Sequence, residues 1–412
     1  MSTEEFGSGD ELKQEPRPFP NWPVADEREL EAVQSVLKSG QWWRMVGSQV
    51  VEFEKEFAAS HNAAYALAVT NGTHAIELAL AALDIGRGDE VIIPAFTFIS
   101  TATAVLCAQA TPVLADVNSD TYCLDPASFA AAITPRTRAV IPVHMAGHVA
   151  DMDEILAIAR EHNLHVIEDA AHAHGAAWKG ERVGALQTGG IYSFQAGKLM
   201  TAGEGGLVLS NDAEFIEKCF LYGNCGRPKT DRTYQHSVLG TNCRMSELQA
   251  AVLRVQLQRL EEQNARREVN AAILNQMLSD VPGITPQGHD PRVTLHPHYM
   301  YMFRYEPTAF GGLSRQQLVD GLIEEGVPAF VGYPAIHRTP VFRNHNFGPR
   351  WRADDALLPD YNLVSCPVAE TLGDEVVWLH HRVLLGDEQH LTAVIDALDR
   401  IRLRASSTVG VA

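Results

Sequence analysis

Between residues 64 and 210, short apolar runs alternate with amphipathic segments, and this alternation leaves the chain few folds to choose from. Residues 64–70 (AYALAVT), 90–93 (EVII), 112–117 (PVLADV), 139–143 (AVIPV), 165–168, 191–194 and 206–210 read as strands, most of them apolar nearly throughout. Residues 73–83, 100–108 and 152–161 carry helical spacing between them. Strands that are apolar on both faces have to be covered on both faces. The pattern therefore predicts an α/β unit built on a mostly parallel sheet, with helices on either side.

A long helical pattern follows from residue 246 to about 277, with Leu248, Val252 and Val255 on one face and Leu253, Leu257 and Leu260 on an adjacent one. Such a helix is suited to bridge two units. Beyond it, strand-like runs at 299–305, 327–333 and 376–385 alternate with helices near 314–325 and 387–402. A chain of 412 residues also exceeds what one compact core supports. The expected division is a disordered lead-in over 1–20, a large domain over 21–260, a smaller C-terminal α/β domain over 261–404 and a flexible tail over 405–412.

A formal net charge of −18 and the lack of any Lys/Arg block argue against a nucleic-acid surface. No apolar run reaches the roughly 20 residues that span a bilayer. The N-terminal stretch is acidic and polar, without the apolar segment of a secretion signal. The six cysteines are scattered with no CxxC pair, which fits reduced thiols and a cytoplasmic setting.

In open α/β sheets, ligands bind beyond the C-terminal ends of the strands, so polar residues at those ends carry the functional signal. Asn71-Gly72-Thr73 follows the first strand and opens a helix. Free N–H groups and the helix dipole there would cradle an anion, although glycine before a helix also serves as plain turn chemistry. Phe98 follows the next strand, either as the wall of a flat ring or as core. Asp169 ends another, where a carboxylate could be an N-cap, a metal ligand or the partner of a protonated ring nitrogen; His172 and His174 follow it. Ser193 closes a further strand, and Lys198 lies five residues later among Gly197, Gly203, Gly205 and Gly206. Burying a lysine without a partner costs several kcal/mol or shifts its pKa. Together, an anion cradle, an aromatic wall, an acid and an isolated lysine are the parts needed for pyridoxal 5′-phosphate (PLP). In that assignment the cradle and Ser193 hold the phosphate, Phe98 stacks on the ring, Asp169 protonates the pyridine nitrogen and Lys198 forms the Schiff base.

These residues sit in motifs that resemble the DegT/DnrJ/StrS family of fold-type-I PLP-dependent aminotransferases, from about Trp22 to Leu403. The motifs are "NGTHAIELAL", "DEVIIPAFTFIS", "VHMAG", "IEDAAHAHGA", "SFQAGKLMTAGEGG" and "GTNCRMSELQAA". The resemblance implies PLP as cofactor, an amino-acid donor, a small cyclic ketone as acceptor, and often a place in antibiotic biosynthesis. It implies Gly72, Thr73 and Ser193 as phosphate ligands, Phe98 as the stacking residue, Asp169 as the pyridinium partner, His172 near the ring hydroxyl and Lys198 as the catalytic lysine. Asn242 would come from the neighbouring subunit of a homodimer with shared active sites. Gln195, where ordinary sugar enzymes of the family carry histidine, and the stretch "SGQWWRMVG" look closer to the 3-amino-5-hydroxybenzoate (AHBA) synthase branch, whose members aromatise a ring by PLP-dependent dehydration. A carboxylated ring would need a cation, which Arg44 beside Trp42 and Trp43 could supply as a bidentate clamp; the alternative is a salt-bridged Arg44 and tryptophans that anchor the core. Tyr333 and Gln195 complete the expected substrate contacts.

Two other classes are weighed against this one. Paired histidines at 172/174, 296/298 and 380/381 could ligate zinc, but no HExxH or paired CxxC accompanies them, and no metal is expected. The segment "GEGGLV" lacks the spacing and context of a dinucleotide fingerprint. A non-catalytic PLP-binding regulator would keep the same scaffold, and turnover distinguishes it.

Overall fold

The computed structural model describes residues 19–230, 233–348 and 358–409. The expected lead-in lies outside the described residues except for its last two, of which Phe19 is buried in the second core. The expected C-terminal tail is partly helix, since the last helix runs Glu388–Val409, and 410–412 lie outside the described residues.

The alternation of strands and helices becomes a seven-stranded sheet. Its spatial order is Tyr65–Val69, Gly206–Ser210, Gly189–Ser193, His165–Asp169, Thr137–Val140, Glu90–Pro94 and Thr111–Ala115. Gly206–Ser210 runs antiparallel to both of its neighbours, and the remaining strands run one way. Their C-terminal ends consequently share one edge of the sheet. The strands at 90–94 and 189–193 are buried at every position, Glu90 and Ser193 included, so both of their faces are covered. Phe53, Phe57, Phe96, Tyr192 and Phe194 fill the layers around them, each one worth about 1.5–3 kcal/mol on leaving water.

The turn after the first strand is fixed by close backbone approach. Asn71 caps the helix Gly72–Ala82 through its side-chain carbonyl, which accepts from the His74 N–H at 2.8 Å. A Cβ at Gly206 would lie 2.2 Å from the Asn71 carbonyl carbon and 2.7 Å from the Gly72 nitrogen. Only glycine lets the antiparallel strand pass so near the helix start.

The helix Glu247–Leu278 connects the two cores: Leu253 and Leu260 pack in the first, Ala271, Leu274 and Leu278 in the second. It starts with a capping box between Ser246 and Gln249. The second core lies between a four-stranded antiparallel sheet and the helices Arg315–Glu324 and Glu388–Val409. The run 376–385 is not one strand. Val376–His380 pairs in the sheet, and the chain then turns into the 3-10 segment His381–Leu385, where the His380 ring nitrogen accepts from the Arg382 N–H. Among the described residues no helix is long and apolar enough to cross a membrane, and all six cysteines are free thiols.

Gly206→Ala should lower the unfolding free energy by about 1–3 kcal/mol, because backbone rather than a flexible side chain has to move. The same change should weaken PLP binding by disturbing the helix start. Thermal melts and a PLP titration of the variant check both effects.

Candidate active site

The strand ends open into a cleft of about 740 Å³, lined from the first strand by Asn71, Gly72 and Thr73, and from later ones by Phe98, Asp169, Ser193 and Lys198. Gly72 meets Ser193 closely: a Cβ on the glycine would sit 3.0 Å from that of the serine. Helix N–H groups and the Ser193 hydroxyl thus share one small region, which suits a phosphate. The Thr73 hydroxyl donates to Ser100 Oγ at 3.0 Å. Phe98 is 49% exposed and faces Tyr333 at 5.6 Å between ring centroids, so the two aromatics flank the mouth.

Asp169 is buried at the end of its strand. Its Oδ2 accepts from the Thr101 hydroxyl at 2.9 Å and its Oδ1 from the Ala171 N–H at 3.2 Å. Burial pushes its carboxyl pKa up, and these two hydrogen bonds with the Lys198 charge pull it back. Lys198 is buried in the same cleft. Burial pushes its ammonium down to about 8, and the Asp169 charge opposes that shift. The turn that carries Lys198 is closed by its N–H donating to the Gln195 carbonyl, while Gln195 Oε1 accepts from the Gly197 N–H, both at 2.8 Å.

His172 is buried with Nδ1 lacking a hydrogen-bond partner among the described residues, and burial holds its pKa well below the ordinary value. An unpartnered neutral imidazole in a cleft is a place for an incoming polar group. His174 instead uses Nε2 to hold the Ser193 carbonyl at 2.9 Å, from behind the phosphate region. The site therefore fits PLP by three observations: a helix start and the Ser193 hydroxyl side by side in the cleft, a buried carboxylate and a buried amine unpaired among the described residues in that same cleft, and the His172 nitrogen without a partner among them.

Three expected residues lie elsewhere in their own chain. Arg44 is not a clamp reaching into the cleft. Its guanidinium is bidentate to Glu54 at 2.5 and 3.0 Å, both side chains are buried, and Glu54 also accepts from the Ala68 N–H. Having spent its fork on Glu54, Arg44 ties the helix Gln49–Ser60 to the first strand. Trp43 is half exposed with the Arg244 guanidinium 5.9 Å from its ring, and Asn242 is exposed; neither lines the cleft.

The cleft also contains two residues that the sequence reading left without a role. Thr101 holds Asp169 from 68 positions away, a pairing created only by packing of the helix Ser100–Cys107. Tyr299 stacks on His172 and lies under the Lys198 amine. Its stretch "HYMYMFR" reads in the sequence only as the start of the strand-like run 299–305.

The sequence pattern of the DegT/DnrJ/EryC1/StrS aminotransferase family matches residues 23–399. The chain belongs to this family. It is 48% identical over 385 residues to 3-amino-5-hydroxybenzoate synthase of Amycolatopsis mediterranei, covering 92% of this chain and 96% of that one. It is 37% identical to L-glutamine:2-deoxy-scyllo-inosose aminotransferase of Streptomyces paromomycinus, covering 93% and 94%. A crystal structure of AHBA synthase superposes with a TM-score of 0.87 at 46% identity, covering 94% and 99%. As a member of the DegT/DnrJ/EryC1/StrS family, the protein is a PLP-dependent enzyme of fold type I that works on small molecules.

Two predictions arise from the site. Arg44→Ala leaves Glu54 buried without its cation, and should cost about 3–5 kcal/mol of stability; urea unfolding measures it, and any loss of activity should be the same for carboxylated and neutral substrates. The Lys198 amine reacts only when neutral, so capture of PLP should accelerate as pH rises through about 8 and level off above it. Borohydride trapping at a series of pH values, followed by peptide mass spectrometry, follows that capture.

Proposed function

We propose that the protein is an aminotransferase that moves an amino group from L-glutamine or L-glutamate to the ketone of a polyhydroxylated carbocycle, a cyclitol in preference to an amino-shikimate-type ring or a keto-sugar. The observation that carries this reading is the charge balance of the cleft. Among the described residues lining it, Glu77, Glu204 and Asp169 are acids, Lys198 is the one Lys or Arg, and no arginine is present. A neutral, hydroxyl-bearing ring suits that lining. The relatives named for L-glutamine and an inosose act on such a ring, and by their names use such a donor.

Bound PLP supplies an electron-withdrawing ring that acidifies the carbon carrying the amino group. The chain's own groups do the rest. Gly72, Thr73 and Ser193 hold the phosphate, and Phe98 covers the ring face. Asp169 keeps a proton on the pyridine nitrogen, and His172 turns its free Nδ1 toward the ring hydroxyl. Lys198 takes and returns the proton at the reacting carbon. Gln195 Nε2 and the Tyr333 hydroxyl are the proposed ring contacts. Asn242 and Trp43, exposed in one chain, are proposed to serve the cleft of a second copy in a homodimer.

A second reading is favoured by the 48% identity to AHBA synthase: dehydration and aromatisation of an amino-cyclohexenone carboxylate. Both readings use Lys198 as acid and base, and they part on the substrate's leaving hydroxyl. The test is a donor half-reaction followed by a ketone panel. L-Glutamine should convert bound PLP to pyridoxamine phosphate, and Lys198→Ala should slow this about 100- to 10,000-fold. No conversion with any amino donor sinks the transaminase reading, and an aromatic product detected by ultraviolet absorption establishes the second.

A further inference from the structure

Lys198 lies at the centre of the site, yet among the described residues its ammonium has neither an ion pair nor a hydrogen bond. What it does contact is an aromatic face: Nζ sits 4.4 Å from the centroid of the Tyr299 ring. The other partner of that ring is His172, stacked at 4.3 Å and 26°. Tyr299 reaches the cleft from the chain just before the small sheet, not from the strand ends that provide Asp169, Ser193 and Lys198.

Its position is set by interlocking turns. The Tyr299 N–H donates to the Ala146 carbonyl at 2.8 Å. Ala146 and His298 both adopt left-handed backbone, with φ of 55° and 50°. A Cβ on Gly147 would lie 2.9 Å from Pro297 Cγ and 3.1 Å from the His172 carbonyl oxygen, so this glycine lets the turns nest. Holding non-glycine residues at positive φ costs of order 1–3 kcal/mol each, and such strain persists only where the surroundings enforce it. Here the enforced geometry fixes one aromatic ring under one amine. The Tyr299 hydroxyl has no hydrogen-bond partner among the described residues, so hydrogen bonding through that group does not account for the placement.

We propose that Tyr299 is a positioning residue: its ring face is the platform on which the Lys198 ammonium, with its proton, rests whenever the amine is not bonded to the cofactor. A buried free ammonium would otherwise neutralise or swing toward Asp169, the group the pyridine nitrogen needs. The ring quadrupole attracts the cation without competing as a base. The amine stays beside the cofactor site, and Asp169 stays available. The other titratable groups that interact with this amine are His172 and His174 from the turn after Asp169, and Asp169 itself; Tyr333 lines the same cleft, and His381 lies 6.2 Å from the Tyr299 ring. The histidines are kept neutral by burial, which leaves Asp169 and the Tyr299 face as the attractive partners.

This inference rests on Lys198 being the cofactor lysine, but its test needs no cofactor. The protonation constant of Lys198 is read in PLP-free protein from the pH dependence of its acetylation by trace acetic anhydride, with the Lys198 peptide quantified by mass spectrometry. Tyr299→Phe keeps the ring and should leave the constant unchanged. Tyr299→Leu should lower it about 30-fold, the size of a desolvated cation–ring contact. Tetrafluorophenylalanine incorporated at 299 nearly keeps the ring's shape while removing its negative face, and should move the constant as Leu does even if the Leu variant folds poorly. An unchanged constant in the fluorinated protein, or a shift in Tyr299→Phe as large as in Tyr299→Leu, overturns the proposal. Failure of PLP to attach to Lys198 would sink the proposed function instead, and would leave the measured constants standing.

Discussion

The structure depends on two buried charges placed in one cleft, the Asp169 carboxylate and the Lys198 amine. Burial alone drives each toward its neutral form, and each charge partly restores the other. Neither could be held at this depth on a lone surface loop. Asp169 is fixed because its strand ends there, its Oδ2 accepts from Thr101 and its carbonyl accepts from the His144 N–H. Lys198 is fixed by a turn closed through Gln195 on the next strand connection. The parallel sheet matters because it delivers both to the same edge, next to a helix start that can take a phosphate.

Much of this could be read from the sequence because it is written locally. A strand that ends in an acid, a glycine before a helix and a lysine among glycines each occupy a few adjacent residues. Parallel topology then brings the strand ends together without further information. Where the sequence reading left a choice open or gave no role, a packing contact outside the local motif decides it. Arg44 beside two tryptophans has the composition of a carboxylate clamp. Its real partner is Glu54 on the following helix, chosen because Glu54 also caps the backbone of the first strand at Ala68. Tyr299 lies about a hundred residues beyond Lys198, and nothing in "HYMYMFR" distinguishes the one tyrosine that faces the cleft. The run 376–385 kept strand-like composition past His380, where the 3-10 turn begins. Trp43 and Asn242 are exposed and do not line the cleft of their own chain.

Substrate choice follows from what the cleft lacks as well as what it holds. With Arg44 committed to Glu54, the described lining holds hydroxyl and amide groups, three acids and, as its one Lys or Arg, Lys198. Gln195 closes the Lys198 turn twice, its backbone carbonyl accepting from the Lys198 N–H and its Oε1 from the Gly197 N–H. A histidine in its place would hold that turn differently, which ties the identity of this residue to the aim of Lys198 and not only to contact with the ring.

The central claim is that Asp169 exists to keep a proton on the cofactor nitrogen. The most direct measurement is the nitrogen-15 chemical shift of ring-labelled PLP bound to the intact enzyme and to Asp169→Asn at neutral pH. The account predicts a protonated pyridine nitrogen in the wild-type enzyme and an unprotonated one in the variant. The same shift in both proteins, protonated or not, would contradict it.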